Sequence, residues 1–210
     1  RAVMFVSPPL MDRALELGAP RENAVHVPNG VDLDVFGAGA QDRDEEVLYV
    51  GNLAPVKGAD RLPAIWHRVV RAVPGAHLTV IGVGQLDEQI RGPLEAMGAT
   101  FLGQQPRHEV ARAMRAARAL LIPSRSEGWP CVILEAQASG TPVVASAVGG
   151  IPGAVGDGGR VVPDDEQLVA GLADGVVEML STPRDPAALR ERASGFTWDE
   201  VARREREAME

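Results

Sequence analysis

The sequence predicts an α/β protein built on a doubly wound parallel sheet. Two observations carry this. Short strand-like runs alternate with helical stretches along most of the chain, which is the pattern of βαβ units. The runs at 47–50, 78–81, 119–122 and 143–145 are also almost continuously apolar, as strands covered by helices on both faces must be. Ligands in such sheets bind outside the carboxyl ends of the strands. That rule nominates the loops after Val50, Ile81, Leu102 and Ile122.

Taken in order, residues 2–6 read as a buried strand and 8–17 as a helix closed by Gly18. A short strand follows at 25–27, then the dipeptide Asn29-Gly30, a turn signal that favours positive φ. The small, polar and charged stretch 37–46 reads as a linker. Beyond it the rhythm is regular. A strand at 47–50 leads to a helix over 57–72, a strand at 77–81 to a helix over 86–97, and a strand at 100–102 to a helix over 107–117. A strand at 119–122 leads to a helix over 130–139, and further strands fall at 143–145 and 160–162. Thr197-Trp198-Asp199-Glu200 spells a capping box ahead of a closing helix. Residues 44–195 therefore read as one Rossmann-like domain. The chain runs from Arg1 directly into a strand, as an excised piece of a longer protein would.

Composition narrows the functional classes. A net charge of −8 over 210 residues argues against a nucleic-acid partner, which needs a basic surface. Cys131 is the single cysteine, so the chain forms no internal disulfide and suits a reducing compartment. No apolar run reaches the length of a membrane span, and no signal-peptide pattern opens the sequence.

The candidate chemistry lies in three loops. Gly51-Asn52-Leu53-Ala54-Pro55-Val56-Lys57-Gly58 follows the first regular strand, with Lys57 at the expected start of a helix. A lysine beside free helical N–H groups makes an anion site; the alternative is a solvated lysine in a tight turn. Gly82-Val83-Gly84 follows the next strand, but Asp87 stands where a dinucleotide fingerprint needs its third glycine. The loop after Ile122 carries Glu127, Gly128, which lets the chain turn, and Pro130, suited to a first helical position. Within Val132-Ile133-Leu134-Glu135-Ala136, Glu135 is a carboxylate in an apolar helix and needs a polar partner. Helical spacing puts Cys131, Glu135, Ala138 and Ser139 on one small, mildly polar face. The partner is either a pair of sugar hydroxyls or an arginine of the 107–118 helix, and spacing does not separate the two. Asp32-Leu33-Asp34 resembles a metal-binding D-x-D but lacks converging ligands. Arg112, Arg115 and Arg118 read as a solvated stripe.

These residues together resemble the C-terminal, donor-binding half of GT-B-fold retaining glycosyltransferases of the family-four, or group 1, type. The resemblance rests on Val27-Pro28-Asn29-Gly30-Val31-Asp32 with Phe36, on Tyr49-Val50-Gly51-Asn52-Leu53 with Lys57-Gly58, and on Phe101-Leu102-Gly103. Its most specific part is Glu127-Gly128-Trp129-Pro130 with Leu134-Glu135-Ala136 and Gly140-Thr141-Pro142-Val143-Val144.

The resemblance implies a nucleotide-diphosphate sugar donor, no metal or other cofactor, and sugar transfer with retention. Lys57 would hold the diphosphate and offset leaving-group charge, Glu135 would take the ribose hydroxyls, and Glu127 would contact the transferred sugar. The N–H groups of Trp129, Cys131 and Val132 would face sugar or phosphate, with Gly51, Asn52, Gly82 and Gly128 beside them. Backbone near Gly103 and Gln105 would meet the base. Asn52 stands where the family commonly has an arginine, and Gly153 where it commonly has a glutamate. Residues 1–43 would be the last strand and helix of the N-terminal domain plus the linker, 44–195 the donor domain, and 196–210 a helix packing back toward the N-terminal domain. The missing acceptor-binding domain would be the partner, associating peripherally with a membrane at its cytoplasmic face. The alternatives are a non-catalytic nucleotide-sugar-binding module and another GT-B enzyme, a synthase or an epimerase.

Overall fold

Apolar β-runs and amphipathic helices alternate as the sequence predicts, in a computed structural model that describes residues 2–37, 46–182 and 185–209. Strand β1 (Val3–Phe5), helix α1 (Pro8–Glu16) and strand β2 (Ala24–His26) form a small parallel unit, followed by α2 (Leu33–Phe36). The main body then runs β3 (Glu46–Val50), α3 (Leu62–Ala72), β4 (His77–Ile81), α4 (Asp87–Glu95), β5 (Thr100–Gly103), α5 (Arg107–Ala116), β6 (Ala119–Ile122) and α6 (Cys131–Ala138). It continues through β7 (Val143–Ser146), α7 (Ile151–Val155), β8 (Gly159–Val162), α8 (Leu168–Ser181), α9 (Pro186–Ser194) and α10 (Trp198–Met209).

The six strands β3 to β8 pair in parallel, in the order β5-β4-β3-β6-β7-β8. From β3 the chain steps outward to β5, returns to the centre at β6 and steps outward on the other side. The topological switch point therefore lies between β3 and β6, and its crevice opens at Val50 and Ile122. Successive residues of β3 feed opposite faces of the sheet. Val47 and Tyr49 pack with Ile65, Trp66 and Val69 of α3 and with Leu172 and Val176 of α8. Leu48 packs with Met114 of α5 and Ile133 and Leu134 of α6. Among the described residues no helix is long and apolar enough to cross a membrane.

Several elements depart from the sequence reading. The helix expected from Lys57 begins at Leu62; residues 55–57 and 59–61 are two 3-10 turns with Gly58 between them at φ +68°. A left-handed residue cannot sit inside a helix, and Pro63 fits the first turn of the helix that follows. A Cβ on Gly58 would also lie 1.8 Å from the Pro123 carbonyl oxygen. Gly58→Ala is accordingly expected to destabilise the chain by at least about 1–2 kcal/mol from backbone conformation alone, read as a lower midpoint in urea. Asn29-Gly30 is no positive-φ turn. Gly30 is required for its size, since a Cβ there would lie 2.8 Å from the Trp198 ring.

The capping box is half made. Glu200 N donates to Thr197 Oγ1 at 3.2 Å, while the Glu200 carboxylate accepts from Arg203 and Arg204 instead of turning back. The sequence reading passed over α7, α8 and α9. Helix α8 was hidden by Gly171 and Gly175, which lower helix propensity. Cβ atoms at these two would lie 2.5 Å from Val162 Cγ1 and 2.8 Å from Val144 Cγ1, so the glycines let α8 lie close on the sheet. The linker reading at 37–46 falls, apart from its ends, outside the described residues, as does the boundary placed at 43/44.

Candidate functional site

Two loops meet at the switch point. The loop after β6 is fixed from below: Ser146 Oγ donates to the Ser124 carbonyl, and Gly150 N donates to the Glu127 carbonyl at 3.2 Å. Gly149 and Gly150 lie against this backbone so closely that Cβ atoms there would be 1.9 Å from the Glu127 and Gly128 carbonyl oxygens. The Glu127 side chain, 10% exposed, is thereby aimed at the turn after β3. Lys57 Nζ donates to both its carboxylate oxygens, at 2.8 and 2.9 Å, and Ser124 Oγ donates to Oε1 at 2.9 Å. The lysine of the predicted anion site is thus paired with the predicted sugar-contacting glutamate, and it stands on a 3-10 turn, not at an α-helix N-terminus.

These residues border a cavity of about 280 Å³ that also takes in Tyr49, Gly51, Cys131, Val132 and Glu135. Tyr49 donates its hydroxyl to the Asn52 carbonyl at 3.0 Å. Burial, reinforced by the negative charges of Glu127 and Asp60, pushes its pKa well above the usual phenol value, so it remains a donor. Burial likewise raises the Cys131 thiol, with the Glu135 charge acting in the same direction.

Glu135 sits on α6 among the buried residues Ile133, Leu134, Ala136 and Gln137. Desolvation raises its pKa, and the positive charge of Arg107 opposes that shift. Among the described residues no donor bonds to this carboxylate. The arginine partner offered by the 107–118 helix is not made. Arg107 instead faces Asp32 at 3.5 Å and stands over the Phe36 ring at 5.4 Å. Only part of the predicted α6 face is open to the cavity: Cys131 and Glu135 line it, whereas Ser139 is buried and donates to the Phe36 carbonyl.

A second cavity of about 440 Å³ adjoins the first through Val50 and Gly51, and Asn52, Gly82, Gln104 and Gln105 line it. The two form one groove along the carboxyl edge of β4, β3 and β6. Gly82, at φ +142°, would bring a Cβ within 1.9 Å of the Gly51 carbonyl oxygen. Gly103 accepts from Gly82 N at 2.8 Å, and Gln105 donates to the Leu102 carbonyl at 2.6 Å. Gly128 and Trp129 border neither cavity. The Trp129 ring packs between His26 and Phe196, with centroids 5.6 and 5.9 Å away, and its carbonyl accepts from Asn29 Nδ2 at 2.8 Å. Gly153 leaves room for that ring, since a Cβ there would lie 3.0 Å from Trp129 Cζ3.

The D-x-D has a structural explanation: Asp32 caps α2, accepting from Asp34 N and Val35 N. The arginine stripe is only partly solvated. Arg115 donates to the Val35 carbonyl and Arg118 to the Leu180 carbonyl, while Arg112 pairs with Glu109. Sequence reasoning missed Tyr49 and Ser124. The Ser124 hydroxyl three residues before Glu127 was the available signal, because a serine at that spacing in a turn reaches the carboxylate.

The sequence profile described as Glycosyl transferases group 1 matches residues 32–196. The D-inositol 3-phosphate glycosyltransferase of Mycolicibacterium smegmatis is 36% identical over 204 residues, which cover 86% of this chain and 45% of that protein. The protein of the same name from Frankia alni is 38% identical over 207 residues, covering 84% and 50%. The chain therefore spans about half the length of these curated relatives. Sucrose-phosphate synthase from Thermosynechococcus elongatus superposes with a TM-score of 0.77 at 26% identity, over 98% of this chain and 57% of the synthase chain. The pneumococcal O-GlcNAc transferase GtfA, solved in complex with UDP and GlcNAc, gives 0.79 at 19% identity, over 97% of this chain and 44% of its own. The parallel sheet is that of the GT-B glycosyltransferases, and sequence and fold agree that this chain belongs to the glycosyl transferases group 1 family.

Proposed function

We propose that this chain is the donor-binding half of a retaining glycosyltransferase that uses a nucleotide-diphosphate sugar without a metal ion. One observation carries the reading. A groove at the switch point holds a lysine, a nearly buried glutamate and a second carboxylate to which no donor among the described residues bonds. A half-buried carboxylate that faces the cavity and takes no donor among the described residues is partly desolvated at a cost, and it fits a ligand that brings its own donors, as the two hydroxyls of a ribose do. Lys57 and Glu127, suited to diphosphate and sugar, border the same cavity as Glu135. The adjoining cavity offers Gln104 and Gln105, where amide and backbone groups suit a base.

In this reading Lys57 offsets the charge that develops on the departing nucleoside diphosphate, the part a divalent ion plays elsewhere. Glu127 holds the transferred sugar, and the acceptor attacks from the face the nucleotide leaves. Residues 44–195 supply the donor site, and the acceptor comes from a half that these 210 residues do not include. The UDP in the GtfA structure makes UDP the first nucleotide to test.

Titration calorimetry of the chain with UDP, GDP and ADP is expected to show one nucleotide bound with a clear preference, and the same affinity with EDTA present. Failure of all three to bind at millimolar concentration would overturn the assignment. So would sugar transfer from radiolabelled donor by the chain alone, for the division of labour between the two halves.

A further inference from the structure

Arg125 is one of the side chains that hold the turn carrying Lys57 against the loop after β6. Arg125 N donates to the Val56 carbonyl at 2.9 Å, and its guanidinium Nη1 donates to the Pro55 carbonyl at 2.6 Å. The same guanidinium binds Asp60 in a fork, Nη1 to Oδ1 and Nη2 to Oδ2, both at 2.7 Å. Arg125 therefore grips backbone just before Lys57 and a carboxylate just after it, spanning the bend at Gly58. From the other direction Arg61 donates to the Pro123 carbonyl at 2.9 Å and pairs with Asp164 at 2.9 Å, tying the start of the β6 loop to the same turn.

We propose that Arg125, through its fork to Asp60, is a positioning residue that presents Lys57 to the diphosphate. The proposal rests on the assignment of Lys57 above. A lysine has a flexible four-carbon stem, and freedom in its backbone adds to the entropy lost when it grips a phosphate. A planar arginine fork is the side-chain geometry that best fixes a turn from outside. Arg125 does not line the cavity, and Asp60 already answers its charge, so it acts through the turn and not on the ligand. The pair is 39% and 29% exposed; pairs at that exposure contribute little to global stability, which leaves local order as its consequence.

A double-mutant cycle tests this with UDP and, as a phosphate-free control, uridine. Arg125→Ala is expected to weaken UDP binding about fivefold, in the range of coupling between members of one ion-pair network, with uridine affinity unchanged. Asp60→Asn, which opens the fork from its other end, is expected to act in the same direction. In a Lys57→Ala background Arg125→Ala should have no further effect on UDP. A fivefold loss that persists in that background, or a parallel loss for uridine, would overturn the positioning role, as would an Arg125→Ala variant that binds UDP normally. If Lys57→Ala itself leaves UDP affinity intact, the assignment of Lys57 fails instead.

Discussion

Glu127→Gln is expected to strengthen the binding of UDP while Lys57→Ala weakens it at least tenfold. An ammonium has three donors, and two of the close contacts of Lys57 go to the two oxygens of Glu127. A diphosphate entering the cavity must take over those contacts and tolerate a carboxylate beside it. Two unit charges about 5 Å apart at an effective dielectric near 20 repel by about 3 kcal/mol. Lys57 is 36% exposed, so solvent screening reduces this to the order of 1 kcal/mol, a severalfold gain in affinity for the glutamine variant. Glutamine keeps the shape and can still accept from Ser124. The gain should be confined to UDP: a UDP-sugar loses its contact with Glu127 and should bind no better. Lys57→Ala removes the one cation bordering this cavity among the described residues and strands Glu127 with Ser124 alone, so a lower Tm accompanies the lost affinity. Calorimetry at two salt concentrations separates the outcomes. Weaker UDP binding by Glu127→Gln, or unchanged binding by Lys57→Ala, would sink this account of the pair.

The sheet was legible because buried parallel strands leave little choice of residue: the runs through Val50, Ile81 and Ile122 end where the strands end. The switch point followed from strand order, which βαβ connection rules constrain but do not fix. What could not be read were contacts between residues far apart in the chain. Nothing local to Lys57 announces Glu127, seventy positions on, or the Asp60 fork of Arg125. Gly58 was misread as lying inside a helix because its αL conformation is set by close approach to Pro123, and α8 was missed because Gly171 and Gly175 answer to the sheet beneath them. Glu135 lay between these cases. Its spacing exposed the problem of an apolar helix carrying a carboxylate, but only the structure shows Arg107 turned to Asp32 and Phe36 and no donor among the described residues on Glu135.

Glu135→Gln is expected to make the chain more stable and unable to hold UDP. Burial raises the Glu135 pKa in the folded state, and Arg107 only partly opposes it. The folded chain therefore binds this proton more tightly than the unfolded chain does, and stability falls as pH rises from the unfolded value toward the raised one. Above that window the full cost of a desolvated carboxylate is present; below the ordinary glutamate value of about 4.5 it is gone. Glutamine has nearly the same shape and no charge to desolvate. Its advantage should grow as pH rises through the window and vanish near pH 4. Each 1 kcal/mol relieved raises Tm by about 2–4 °C in a chain of this size. UDP affinity should move the other way. A neutral amide cannot accept from both ribose hydroxyls as a carboxylate does, and charged hydrogen bonds are worth about 1.5–3 kcal/mol each, so the loss is tenfold or more. The parent should show a matching pH dependence, with affinity declining as Glu135 takes up its proton. A residue kept only for the fold would lose stability when replaced, whereas one kept for a ligand gains it. Thermal melts at pH 4 and pH 7 beside UDP titrations tell the two apart, and a glutamine variant less stable than its parent at pH 7 would remove Glu135 from the binding site.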